Sequence, residues 1–584
     1  MSYKVAIAIS GAVSLGTYEA GTVYELINAI KLHNENNPEN EKISIDVLTG
    51  ASAGGMTAGL VAQKLLYDAP ALEDPNTNVG YDAWVKSVDI SGLLEPVEGD
   101  NPRTSILSTG FVKSIADRLI LSRYQQPAPA KKRHPASGDK IRLGLAMANM
   151  NGVDYARNVF EATHAGLEDG QFIETRHQDR VTAILDEASD TLPVWQRITV
   201  AARGCGAFPF AFSPIILHRS WDEADYKGRG AIDFSSSFPS GLFSFMDGGT
   251  FNNYPLGMAR ELAKAEDLGP LDYSRRFYFF ISPYKKSSTA DYDFDASSDK
   301  VSIKDCAARM VGAIFNQARF QDWLFTDKYN KEIALLDKRA KDLVSYVDLA
   351  PDSEVQNLAD TAKTLCNGIF TTSRDGSLEF GEPDEIESKK IDTSETLEAA
   401  LERLEEQYKE DYPGFDELPQ VKKDAWLYSI ALLEKAADLN DRDIMRVYTI
   451  TASADELASE EMISFLGFLD KRFREYDYLR GRLNGRRMIN HILDARADGN
   501  RMNNHLPLNI DHLDTTELDK KLKDMNLSGA TIGDVDVQVR QKLYSRLKNR
   551  YYLYARNIGI NRILRWAAFN FYLRGKLRDF LKLN

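Results

Sequence analysis

Two short apolar runs near the N-terminus, YKVAIAIS (3–10) and SIDVLTG (44–50), each stop at a glycine-bearing turn and pass directly into helical spacing. No other feature restricts the fold as much. A short apolar run bounded by turn residues reads as a strand buried on both faces. TYEAGTVYELINAIKLH, with apolar positions at Ala20, Val23, Leu26, Ile27 and Ile30, reads as a helix, and so does AGGMTAGLVAQKLLY after Ser52. Strand, turn and helix, repeated twice, predict an α/β sandwich.

Further apolar runs, IRLGLAMANM (141–150) and RRFYFFISPY (275–284), continue the strand pattern, and the Pro- and Lys-rich stretch 125–140 reads as an exposed loop. The polar stretch 285–300 reads as a linker. Long helical spacing follows at 306–347, and acidic helical material at 394–413. A chain of 584 residues exceeds what one core usually serves. We therefore expect an α/β domain over 1–290 and a mainly helical domain over 291–584.

The net charge of −14 argues against nucleic-acid binding, which needs a concentrated positive surface. The three cysteines, Cys205, Cys306 and Cys366, form neither a disulfide framework nor a zinc motif. The N-terminal apolar stretch is shorter than a secretory signal, and no apolar run reaches about 18 residues. These features predict a cytoplasmic protein.

The tail 541–584 differs, with eleven Lys/Arg, one acid and nine aromatics. Ile560, Ile563, Leu564, Ala567 and Phe571 share one helical face, with Arg562, Arg565 and Lys576 opposite. Two readings stay open: a helix packed on its own domain, or peripheral contact with an anionic membrane at its inner face.

The chemistry centres on GASAG. Ser52 lies between a predicted strand and a predicted helix, where a strained turn exposes a hydroxyl. Gly50 and Gly54 spare that turn two side chains, and the Ala53 N–H faces charge that develops beside Ser52. A serine needs a base, yet none of the eight histidines has a distinctive setting. FSFMDGGTFNNYPL (243–256) offers Asp247 instead, on a tight turn with Gly248 and Gly249.

GASAG, DGG and the F-P-containing segment AARGCGAFPFAFSP (201–214) together resemble the patatin-like phospholipase family. GAVSLG (11–16) resembles its glycine-rich loop, with Val13 where a glycine is common. The V-S-L loop and the long C-terminal extension are similar to those of a patatin-related bacterial subgroup. The resemblance implies a three-layer α/β/α domain with a mainly parallel central sheet and a Ser52–Asp247 dyad. It further implies an oxyanion hole from Gly11, Ala12, Val13 and Ala53, hydrolysis of phospholipids or other acyl lipids, and no metal or cofactor. Arg203 is a candidate phosphate contact, with an intrachain ion pair as the alternative. A membrane-associated or partner-binding scaffold with weak catalysis, and a thioesterase using the same dyad, remain as other readings.

Overall fold

The computed structural model describes residues 3–283, 351–371, 396–436 and 445–583, with breaks at 99, 102, 126–128, 164–165, 210, 233–240, 268–274, 412–413, 498–504 and 558, and single positions between 294 and 350. β1 (Tyr3–Ile9), α1 (Gly16–Asn36), β2 (Ile43–Gly50) and α2 (Ala53–Tyr67) follow one another in the expected order. Successive side chains of a strand point to opposite faces, and β1 uses this to serve two cores. Val5, Ile7 and Ile9 enter one, while Ala6 and Ala8 enter the other.

The chain then forms α3 (Ile90–Leu94), α4 (Thr109–Leu119), β3 (Ser137–Thr163), β4 (Gly166–Leu185) and α5 (Leu192–Cys205). β5 (Ile215–His218), β6 (Leu242–Asp247), α6 (Leu256–Lys264) and β7 (Arg276–Ile281) complete the first half. The central ladder β3-β2-β1-β7 is parallel, and β4, β5 and β6 add antiparallel pairs. α6 covers the face carrying Ala6 and Ala8 through Leu256, Met258, Ala259 and Leu262, and α1 and α2 cover the other. The result is the expected three-layer arrangement around a mixed, mainly parallel sheet. β3 begins at Ser137, inside the stretch read as a loop, and residues 129–133 before it are exposed.

Later in the chain α7 (Asp352–Thr371), α8 (Leu397–Asp411) and α9 (Gln420–Ala436) share a core of their own around Leu404, Phe415, Trp426 and Ile430. β8 (Val447–Ile450) then pairs in parallel with β7, and α10 (Lys471–Ala497) packs on α1. The boundary expected at 290 is therefore corrected: residues beyond 446 complete the sheet and core of the first unit. Sequence periodicity missed this because a four-residue edge strand carries too short a pattern. The linker reading at 285–300 and most of the helical reading at 306–347 fall outside the described residues. α11 (Val537–Asn557) follows, and Leu581 and Leu583 near the end are buried in the main core.

The α1–α10 contact depends on glycine. A Cβ on Gly21 would sit 2.2 Å from the Tyr478 carbonyl oxygen, and one on Gly481 would sit 2.0 Å from that of Tyr18. Beside them the fully buried Glu25 carboxylate accepts from Arg482 Nε at 2.7 Å and Arg486 Nε at 3.0 Å. Gly481→Ala should lower stability by about 1–3 kcal/mol, the usual cost of overpacking. Gly575→Ala, where a Cβ meets nothing within 4 Å, is the control. Equal thermal melting curves for the two variants would contradict the close contact.

Candidate active site

The turn after β2 is strained. Ser52 has φ 50° and ψ −125°, a region that non-glycine residues seldom occupy, and α2 starts at the next residue. The turn closes because its neighbours lack side chains. A Cβ on Gly50 would lie 2.4 Å from the Gly54 backbone, and one on Gly54 would lie 2.3 Å from the Ser10 carbonyl oxygen.

Asp247 reaches this turn by sheet register. Gly50, the last residue of β2, is level with Leu145 of β3, and Asp247 at the end of β6 is level with Met147. The two turns are thus brought within two residues of each other along β3. Ser52 Oγ donates to Asp247 Oδ2 at 2.5 Å, and the Gly249 N–H donates to Oδ1 at 2.7 Å. Burial pushes the Asp247 carboxyl up to about 7, against the opposing pull of those two hydrogen bonds. A buried carboxylate poised near neutrality is a competent proton acceptor. Among the described residues no histidine is hydrogen-bonded to Ser52.

The loop after β1 requires one correction. The Gly11 N–H donates to the Asn253 carbonyl at 3.2 Å, so it is spoken for and is not a free oxyanion donor. Gly11 matters for space instead, since a Cβ there would lie 2.2 Å from Asn253 Oδ1 and 2.9 Å from Ser52 Cβ. The N–H groups of Ala12, Val13 and Ala53 make no hydrogen bond to a described residue. Val13 adopts φ 54° despite its β-branch.

Distant residues hold that conformation. Ser14 Oγ donates to the Ser464 carbonyl, and Gly467 packs so closely on Ser14 that a Cβ would lie 2.6 Å from its Oγ. Arg474 of α10 donates to the carbonyls of Val85 at 3.1 Å and Gly467 at 2.9 Å. Asp477, one turn on, accepts from the Ala458 N–H at 2.8 Å. The 458–468 segment is thereby fastened against the Val13 loop.

Ser52 opens onto an apolar pocket walled by Met56, Phe208, Phe212, Phe465 and Phe468, with Arg203 at its lining. Phe465 packs edge-on against Phe208 at 5.8 Å and against Phe468 at 5.7 Å. Sequence reasoning missed Phe465, Phe468, Ser464 and Asn253. Asn253 lies in the quoted DGG segment and could have been suspected; the other three lie over 400 residues from GASAG and carry no local signal.

The exposed positions of the tail are also on view. Ile563, Leu564, Trp566 and Phe571 are 74, 62, 55 and 81% exposed, so the apolar face is not packed on the described chain. Phe569 is the inward residue, set against Tyr544, Tyr551 and Tyr552. No helix among the described residues is long and apolar enough to cross a membrane.

The family model "Patatin-like phospholipase" matches residues 7–260, which hold Ser52, Asp247 and the Val13 loop. The chain is 24% identical over 400 residues to "Uncharacterized protein y4iI" of Sinorhizobium fredii (strain NBRC 101917 / NGR234), with 55% of this chain and 54% of that protein covered. The chain thus spans about half the length of the curated relative it matches. Residues 7–260 are thus similar to the patatin-like phospholipase domain, which belongs to a family of lipid acyl hydrolases.

Proposed function

We propose that this chain is a serine-dependent acyl hydrolase of the phospholipase A or lysophospholipase type, with Ser52 as nucleophile and Asp247 as general base. The observation that carries the reading is the 2.5 Å hydrogen bond from the Ser52 hydroxyl to a buried carboxylate raised to about 7. Asp247 takes the Ser52 proton as Oγ attacks the ester carbonyl. The tetrahedral oxyanion is held by the N–H groups of Ala12, Val13 and Ala53, which have no competing bond among the described residues. Collapse breaks the ester C–O bond, and Asp247 returns the proton to the leaving alcohol. Water then attacks the acyl-serine, giving its proton to Asp247, and the fatty acid departs as Ser52 recovers that proton. The scheme calls on no metal or cofactor. Val13 adopts positive φ despite its β-branch, which favours the catalytic reading over a non-catalytic scaffold. Thioesters would follow the same steps.

The substrate of such an enzyme resides in a membrane or micelle. The exposed Ile563, Leu564, Trp566 and Phe571, flanked by Arg562, Arg574 and Lys576, suit peripheral docking on an anionic lipid surface at the cytoplasmic face. Each well-placed cation contributes about 1 kcal/mol near such a surface. The tail is tied to the pocket side of the domain: Arg546 of α11 pairs with Glu95 at 2.6 Å, directly after α3, whose Leu93 lines the pocket.

Ser52→Ala and Asp247→Asn should each abolish ester hydrolysis while leaving the fold intact, and Ser52→Ala should also end labelling by a fluorophosphonate reagent. Turnover retained by either folded variant would refute the dyad. Because Asp247 must be ionised to accept a proton, kcat/KM should rise with pH through an inflection near 7 and then level off.

Stability should move the opposite way. The Asp247 carboxyl ionises near 3.8 in the unfolded chain and near 7 in the fold, so its burial costs progressively more as pH rises between those values. Asp247→Asn removes that cost. Its gain in melting temperature over the parent should be larger at pH 8 than at pH 4, and equal gains would argue against a buried ionisable carboxyl.

For docking, Trp566→Ser with Phe571→Ser should weaken binding to phosphatidylglycerol vesicles by about tenfold or more and leave hydrolysis of a soluble ester unaltered. Undiminished, salt-insensitive binding would remove the membrane role. Point variants are preferable to deleting the tail, since Leu581 and Leu583 belong to the core.

A further inference from the structure

The wall of the Ser52 pocket contains one feature that ester chemistry does not use. Arg203, in the last turn of α5, lines the pocket among Met56, Phe208, Phe212, Phe465 and Phe468. Its Nε is buried and has no hydrogen-bond partner, and no described carboxylate forms an ion pair with it. The acid nearest in electrostatic effect, Asp117 of α4, is hydrogen-bonded to Lys113 instead. The intrachain ion pair that the sequence left open is thus not formed among the described residues.

Several other arginines are matched by carboxylates, and the buried Arg474 is satisfied by backbone carbonyls. In the polar cleft beside α6, Arg176 pairs with Glu174 at 2.8 Å, Arg229 with Asp225 at 2.9 Å, and Arg180 with Glu261. Arg123 pairs with Asp190 at 2.9 Å, and Arg276 sits between Asp46 and Asp267. A half-buried cation in an apolar pocket, with its Nε buried and unpartnered, carries a desolvation cost that no counter-charge offsets among the described residues. Burial lowers the proton affinity of Arg203 for the same reason. An anion entering with the ligand would repay that cost, and a guanidinium fits the two oxygens of a phosphate ester with paired N–H donors.

We propose that Arg203 anchors the phosphate of an acyl-lipid substrate, so that the pocket selects phospholipids or lysophospholipids over neutral acylglycerols with the same acyl chain. The inference rests on the acyl hydrolase reading for its orientation: the ester carbonyl meets Ser52, the hydrocarbon lies along the phenylalanine wall, and the phosphate meets Arg203. Arg203 is a specificity-determining residue in this account and takes no part in proton transfer.

The test compares lysophosphatidylglycerol with a monoacylglycerol of the same chain, using the full-length protein and its Arg203→Gln and Arg203→Lys variants. The ratio of kcat/KM for the phosphate-bearing ester to that for the neutral one should fall about 10- to 100-fold in Arg203→Gln, the range expected for loss of a charge-assisted contact. Arg203→Lys should recover part of it. A ratio that does not move, whether both activities fall together or neither falls, overturns the proposal and leaves the Ser52–Asp247 reading standing.

A binding arm separates the two ideas. Ser52→Ala should bind ether-linked lysophosphatidylglycerol, and adding Arg203→Gln should weaken that binding by about tenfold or more. If the parent enzyme hydrolyses neither ester, or Ser52→Ala hydrolyses both, the dyad reading fails and this arm alone decides the role of Arg203. Unweakened binding then overturns it. Displacement of the ether lipid by inorganic phosphate at equal concentration would assign the site to free phosphate and overturn the selectivity for lipids.

Discussion

The arrangement of this protein turns on how closely α10 lies against α1. Gly21 and Gly481 let the two backbones approach within the space a single Cβ would fill, and Glu25 with Arg482 and Arg486 fixes which faces meet. Burying Glu25 and Arg482 carries a large desolvation cost, and their pairing, joined by half-buried Arg486, offsets it only in one register. That register is what sets the 458–468 segment over the Ser52 turn. The pocket wall, the brace on Ser14 and the conformation of Val13 all follow from one helix–helix contact.

The site concentrates unfavourable local choices. Ser52 and Val13 both occupy positive φ, Asp247 is buried without a cation among the described residues, and the buried Nε of half-buried Arg203 has no partner among them. Each costs free energy that the surrounding cores must supply, and such clustering is expected where a fold is shaped for chemistry rather than for stability. Strain at Val13 is tolerable because Ser464, Gly467, Arg474 and Asp477 hold its neighbourhood from outside the GASAG and DGG motifs.

What could be read from the sequence follows the range over which its information acts. GASAG and DGG are local patterns whose side chains are dictated by tight turns, so Ser52, Asp247, Gly50 and Gly54 were legible. The short apolar run of β1, bounded by Gly11, likewise announced a strand buried on both faces. Gly11 was read as an oxyanion donor because its motif says nothing about where its N–H points; Asn253 decides that. Phe465 and Phe468 were illegible for a different reason: an aromatic residue in a helical stretch looks the same whether it fills a core or walls a distant pocket. β8 was missed because four residues cannot display a period.

The position of β8 and α10 in the chain has a consequence for the order in which this protein comes into being. Synthesis delivers the GASAG and DGG turns early, but the strand and helix that brace them emerge some 200 residues later. A nascent chain bearing both turns still lacks Phe465, Phe468 and the anchor for Ser14. The chain's own layout thus leaves the Ser52 turn unbraced on the ribosome until residues 447–497 have emerged.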